Sequence, residues 1–154
     1  MALPYHALKL IAPFLSGEVL SLGYPDLEVS VKDIEKLFGY TPEKFTEAHK
    51  WHRKENPFPC TMELCGRLDV KLTVVDFIQD RGMETVVDLN HPQDLGQYDL
   101  VIDPGTLEHC FNIGQAMMNA AAAVKAGGHI LHLSPMTMLN HGFYNLNTTL
   151  FYDF

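Results

Sequence analysis

An α/β fold, with an open, mostly parallel sheet and helices on both faces, is predicted by three observations. Short strand-like runs alternate with helical patterns along the chain. Runs such as Val74-Val75, Val86-Val87 and Leu100-Val101-Ile102 are apolar at consecutive positions, as strands covered on both faces are. Three of those runs end in an acid, Asp76, Asp88 and Asp103, at the strand edge where open α/β sheets bind ligands.

The elements follow in order. Leu8, Ile11 and Leu15 recur at helical spacing, interrupted by Pro13 and stopped by Ser16-Gly17. Residues 18–23 form a short strand, punctuated by Gly23, Tyr24 and Pro25. Ser30 caps a helix that runs through Phe38 and closes at Gly39. Thr41-Pro42 starts a second helix, to about Arg53, with Pro42 at its first position. Residues 56–59, Asn-Pro-Phe-Pro, are a rigid break, and 61–68 make a short helix with Leu64, Cys65 and Leu68 on one face. Strands are expected at 71–77 and 84–89; the link between them is too short for a crossover helix, so either it is irregular or one strand is marginal. The block from Tyr98 to His109 reads as a buried strand, an acid, a Pro-Gly turn and a helix start. That helix is expected from Thr106 to about Ala126, closed by Gly127-Gly128, with a fifth strand over 128–133. After Pro135 the chain is polar and aromatic.

At 154 residues the chain is read as one domain, residues 1–154, large enough for a real core. Its formal charge of −8 disfavours nucleic acid and anionic membranes as partners, apart from a local basic patch at Lys50, Arg53 and Lys54. No apolar run reaches membrane-spanning length, and the first residues lack the basic region of a secretory signal. Three cysteines do not describe a disulfide scaffold, so a reducing cytoplasm is the expected location.

A carboxylate at a strand end can accept hydrogen bonds from the vicinal hydroxyls of a ribose, although acids also favour loop starts and caps. Gly23 stands where a nucleotide-binding protein of this shape places a glycine-rich loop, but it stands alone, before Tyr and Pro. His49, His52, Cys60 and Cys65 can be drawn as a zinc set; their spacing is unlike the paired spacings of structural sites, and no metal is expected. Glu108 and His109 are an acid/base pair by type, though adjacent helical residues face different ways. His141, in a His-Gly-Phe-Tyr segment on a loop, is a third candidate.

Several motifs together carry a resemblance: Val75-Asp76, then Asp88-Leu89-Asn90-His91-Pro92, the block from Tyr98 to His109, the Gly127 to Ser134 stretch and His141 to Tyr144. They resemble the class I, Rossmann-like, S-adenosylmethionine-dependent methyltransferases, and among them a subgroup of mostly uncharacterised methyltransferase-like proteins. The likeness spans roughly residues 18–154. It implies that Gly23 lies near the methionine end of the cofactor, Asp76 and the adjoining Phe77 at its ribose, and Asp88 and Leu89 at its adenine. Asp103 and Gly105 would floor the crevice beside the transferred methyl, with Glu108, His109 and His141 as candidate bases. Two departures stand out: the first loop lacks the usual Gly-x-Gly, and the chain ends where two further strands are usual.

The expected function is therefore methyl transfer from S-adenosylmethionine to an unidentified, small-molecule acceptor. A non-catalytic, methyltransferase-like assembly subunit is the alternative. Aromatic residues in 141–154 are expected to be ordered and largely buried, within the chain or against a second copy or partner subunit.

Overall fold

In the computed structural model, which describes residues 2–46 and 57–153, strand β1 (Ala2–Pro4) leads directly into helix α1 (Tyr5–Ile11). Pro13 has no amide to continue the helix, and the chain tightens into a 3-10 turn at Ala12–Phe14. Gly17 then opens β2 (Gly17–Leu22) at φ +68°. A Cβ there would meet Asp99 Oδ2 at 2.7 Å. That carboxylate accepts the Glu18 amide at 2.9 Å and bonds Lys125 Nζ at 3.0 Å. These partners, the amide first, hold Asp99 below its ordinary pKa, so the stability it contributes is lost as pH falls through the acid range.

Strand β3 (Asp26–Glu28) pairs in parallel with β1 in a small separate sheet. Helix α2 (Val31–Phe38) has the expected ends: Ser30 and Asp33 cap each other reciprocally, and Gly39 is left-handed at φ +74°. The helix expected from Thr41 is not formed over its first residues. Glu63, in α3 (Thr61–Arg67), accepts the amides of Glu43 and Lys44 and holds the chain extended. Strand β4 (Phe45–Thr46) follows and pairs antiparallel with β5 (Phe58–Pro59). The rest of that expected helix, with the basic patch and the His49 and His52 of the drawn zinc set, lies outside the described residues.

The main sheet contains β2, β6 (Val70–Asp76), β7 (Thr85–Val86), β8 (Tyr98–Asp103) and β9 (Val124–His132), all parallel. Its order is β7-β6-β2-β8-β9. The earliest strand is thus central, the next two lie on one side of it, and the last two on the other. Strand order reverses between β2 and β8, whose carboxyl ends flank one crevice. The link from β6 to β7 is irregular and β7 is only two residues long, so both readings of that region hold.

Side chains alternate across the sheet into two cores. Leu20, Leu22 and Val101 pack with Leu107, Ala116, Met117 and Ala120 on one face. Val19, Leu100 and Ile102 pack with Leu8, Ile11, Ile34 and Leu64 on the other. Helices therefore cover both faces, α4 (Ile113–Ala122) on the first and α1 to α3 on the second.

One long expected helix is corrected. Residues 106–126 are not a single helix: Leu107–His109 form a 3-10 turn, and α4 starts only at Ile113. Asn112 interrupts the run, because its amide and side chain are drawn to Asn90 while its Oδ1 caps Gln115. Nor do Gly127 and Gly128 close the helix, which ends at Ala122. They sit within the span of β9, where register against β8 shifts between Tyr98 and Leu100. A Cβ on Gly128 would lie 2.9 Å from the Asp99 carbonyl oxygen, so this close approach explains the glycine.

The segment 134–153 ends in α5 (Thr148–Asp153), but the expected burial is not observed. Leu146 is buried, whereas Phe143 and Tyr152 are 64% and 91% exposed. Among the described residues no helix is long and apolar enough to cross a membrane.

Candidate functional site

Gly23 follows β2 at φ +91°, and its amide bonds the Val75 carbonyl at 2.7 Å, which locks the first turn against the end of β6. Asp76 is half-buried at that end. Its Oδ1 accepts its neighbours' amides, Phe77 at 2.6 Å and Ile78 at 3.4 Å. Phe77, Ile78 and Val86 are exposed beside it, an apolar surface at a strand edge.

Arg81, in the irregular link, reaches across to Asp26 with bonds of 2.8 and 2.9 Å and lies 5.0 Å over the Tyr24 ring. Buried Glu84 accepts the Arg81 amide and so fixes the loop that carries it. This clamp joins the loop after β6 to Tyr24, in the turn after β2, and to Asp26, at the start of β3. It was not legible in the sequence, because its partners are 55 residues apart.

Asp88 Oδ1 accepts the backbone and side-chain nitrogens of Asn90, bonds that lower its pKa, with His91 a weaker contributor. Leu89 is packed in the core beneath α4. The loop is held there by Asn119, whose Nδ2 donates to the carbonyls of Leu89 and His91.

Asp103 is fully buried, with both oxygens engaged: Oδ1 accepts the Thr106 and Leu107 amides, and Oδ2 lies 3.1 Å from His132 Nδ1. Asp103 and His132 are partners in the β8–β9 register. Local sequence pattern does not single out His132, although its place at the end of the last strand is a signal. Phe151, from the tail, stacks on its ring at 4.7 Å. Thr106 Oγ1 donates to the Leu22 carbonyl and ties the turn after β8 to the end of β2.

The adjacent candidates Glu108 and His109 meet His141, from a distant part of the sequence, beside that turn. Glu108 is 1% exposed, and its Oε1 lies 3.3 Å from His141 Nε2. The exposed His109 ring stands edge-on to His141 at 4.9 Å. Among the described residues Glu108 Oε2 is buried without a hydrogen-bond partner, a costly state for a carboxylate oxygen.

Two glycines make the room. At Gly105, φ is +100° and a Cβ would lie 3.1 Å from Glu108 Oε1; at Gly142, φ is +64° and a Cβ would lie 2.6 Å from the Glu108 carbonyl oxygen. That carbonyl accepts the amides of Phe143 at 2.7 Å and Tyr144 at 3.3 Å, while Tyr144 Oη donates to the Phe111 carbonyl. His-Gly-Phe-Tyr is therefore a docking segment: it delivers His141 to Glu108 by bonding the backbone under it.

Burial first, and then the charges of Asp103, Asp88 and Glu108, push the Cys110 thiol up to about 11. Burial pushes Cys65 up to about 11 as well. Both stay protonated at mildly alkaline pH, where thiols react slowly. Native protein treated with a thiol reagent is expected to label at the half-buried Cys60 well before Cys65 and Cys110, with all three equal after unfolding. Fast native labelling of Cys110 would show that the turn opens readily.

No protein family, curated protein or solved structure matches this chain.

Proposed function

We propose that this chain is a Rossmann-like, S-adenosylmethionine-dependent methyltransferase acting on a small-molecule acceptor. The observation that carries the reading is the strand order. A central first strand whose end, at Gly23, abuts the acid-ended β6, with reversal between β2 and β8, is the arrangement that accepts a nucleoside-bearing cofactor in open α/β sheets. Asp76 Oδ2 takes no hydrogen bond among the described residues, which leaves it for ribose hydroxyls, with exposed Phe77 alongside. The saturated, buried Asp103 instead organises the turn that carries Glu108.

Methyl transfer is an in-line displacement. The acceptor's oxygen or nitrogen bonds the methyl carbon, the S–C electron pair returns to sulfur, and the acceptor loses a proton. The protein's work is to position both partners and exclude water. The Glu108–His141 pair supplies the proton acceptor: the imidazole takes the proton and the buried carboxylate holds the resulting cation. The free thiols accord with a cytoplasmic location.

The test is binding. At 100 times its dissociation constant, a ligand specific for the native state adds about 2.7 kcal/mol, roughly 5–11 °C in melting temperature for a domain of this size. S-adenosylmethionine or S-adenosylhomocysteine should give such a shift, and Asp76→Ala should cost about 1–3 kcal/mol of affinity, roughly 5- to 150-fold by calorimetry. Unchanged affinity in folded Asp76→Ala removes the ribose role.

A second reading, a non-catalytic assembly subunit, is favoured by the stacking of Phe151 on His132 and by exposed Phe111, Met136, Leu139 and Phe143. No thermal shift at millimolar ligand, together with self-association that depends on Phe111 and Phe143, would select it.

A further inference from the structure

We infer that Glu108, His109 and His141 form a three-ligand site for a divalent transition-metal ion. One donor atom from each lies within 4.8 Å of the other two. Ligands on a metal with bonds of about 2.0–2.2 Å stand roughly 3–3.5 Å apart, and Glu108 Oε1 and His141 Nε2 already have that spacing at 3.3 Å. His109 is exposed and His141 half-buried, so rotation of their rings closes the remaining gap without disturbing the core.

An independent observation points to a cation. Among the described residues Glu108 Oε2 is buried and unpartnered, within a carboxylate that Gly105 and Gly142 admit by having no side chains. The supporting shell is built as well: two amides of the 141–144 segment hold the Glu108 carbonyl, and Thr106 anchors the turn to β2.

Two imidazoles and one carboxylate suit zinc or ferrous iron rather than magnesium or calcium, which prefer all-oxygen shells. Three protein ligands leave a coordination position open on the solvent side. An acceptor oxygen bound there would lose its proton more readily, the step otherwise given to the Glu108–His141 pair. The site shares Glu108 and His141 with the proposed proton acceptor, but metal binding can be tested without any cofactor.

Full-length protein is stripped with a chelator and titrated with Zn2+ by calorimetry and with Co2+ by visible absorption. One equivalent should bind at micromolar or lower concentration, and Co2+ should give the intense visible bands of a low-coordinate site. His109→Ala, an exposed substitution, should weaken binding at least tenfold without changing the melting temperature of the metal-free protein. His141→Ala and Glu108→Gln should weaken it further, with folding checked by circular dichroism. Absence of binding, or equal binding by wild type, His109→Ala and His141→Ala, would overturn the site. In the latter case the ion sits elsewhere, and the cluster is a hydrogen-bonded pair with a neighbouring ring. A metal site without a shift by S-adenosylmethionine would sink methyl transfer and leave this inference intact.

Discussion

Asn119→Leu is expected to lower the stability of the protein by about 3–5 kcal/mol. Asn119 is 3% exposed and uses its whole amide: Nδ2 donates to the carbonyls of Leu89 and His91 at 3.0 and 2.9 Å. Its Oδ1 accepts the Gln93 amide at 3.2 Å and Gln115 Nε2 at 2.9 Å. Leucine keeps the volume but removes the partner of the buried Leu89 carbonyl and of the part-buried His91 carbonyl and Gln93 amide. Urea denaturation measures the loss, with Gln115→Ala as a control expected to cost about 1 kcal/mol, the worth of one ordinary hydrogen bond. A loss below about 1 kcal/mol for Asn119→Leu would mean that the 88–93 loop rebonds to solvent.

Asn119 also marks where sequence reading stops. The cap at Ser30, the stop at Gly39, the break at Pro13 and the acid ends of β6 and β8 were legible, because each depends on residues a few positions apart. The run 106–126 misled for the opposite reason. Its Ala- and Met-rich composition favours helix, but the break at Asn112 is imposed by Asn90, 22 residues away. Strands as short as β4 and β5 exist through pairing alone and leave almost no local pattern. At the site, the residue types of Glu108, His109 and His141 were legible. Their meeting was not, because the backbone bonds that dock 141–144 under the turn span more than thirty residues.

The second large effect is expected at Gly105. Gly105→Val places a β-branched residue at φ +100°, where such residues are strained, and puts Cβ at 3.1 Å from the Glu108 carboxylate and 3.4 Å from the Leu133 carbonyl oxygen. A loss of about 3 kcal/mol or more is expected from backbone strain and displacement of a buried acid. The variant should also lose the Glu108–His141 contact, read as a changed His141 resonance in the NMR spectrum. Gly105→Ala keeps the unfavourable φ with a smaller side chain and should fall between. If Gly105→Val melts early yet binds S-adenosylmethionine and keeps the His141 resonance once folded, the glycine serves the backbone alone.

The bonds from Phe143 and Tyr144 to the Glu108 carbonyl have a kinetic consequence. They tie a mostly exposed segment, low in buried apolar contacts, to a buried acid, and such segments open far more often than the whole domain unfolds. The Phe143 amide proton can exchange with solvent only when the segment lifts, and Glu108 is covered until it does. Deuterium uptake at that one amide therefore times the uncovering of the acid. Its opening rate is a ceiling on how often a bulky acceptor can touch Glu108 itself, while the partner His141 stays half-open to solvent throughout.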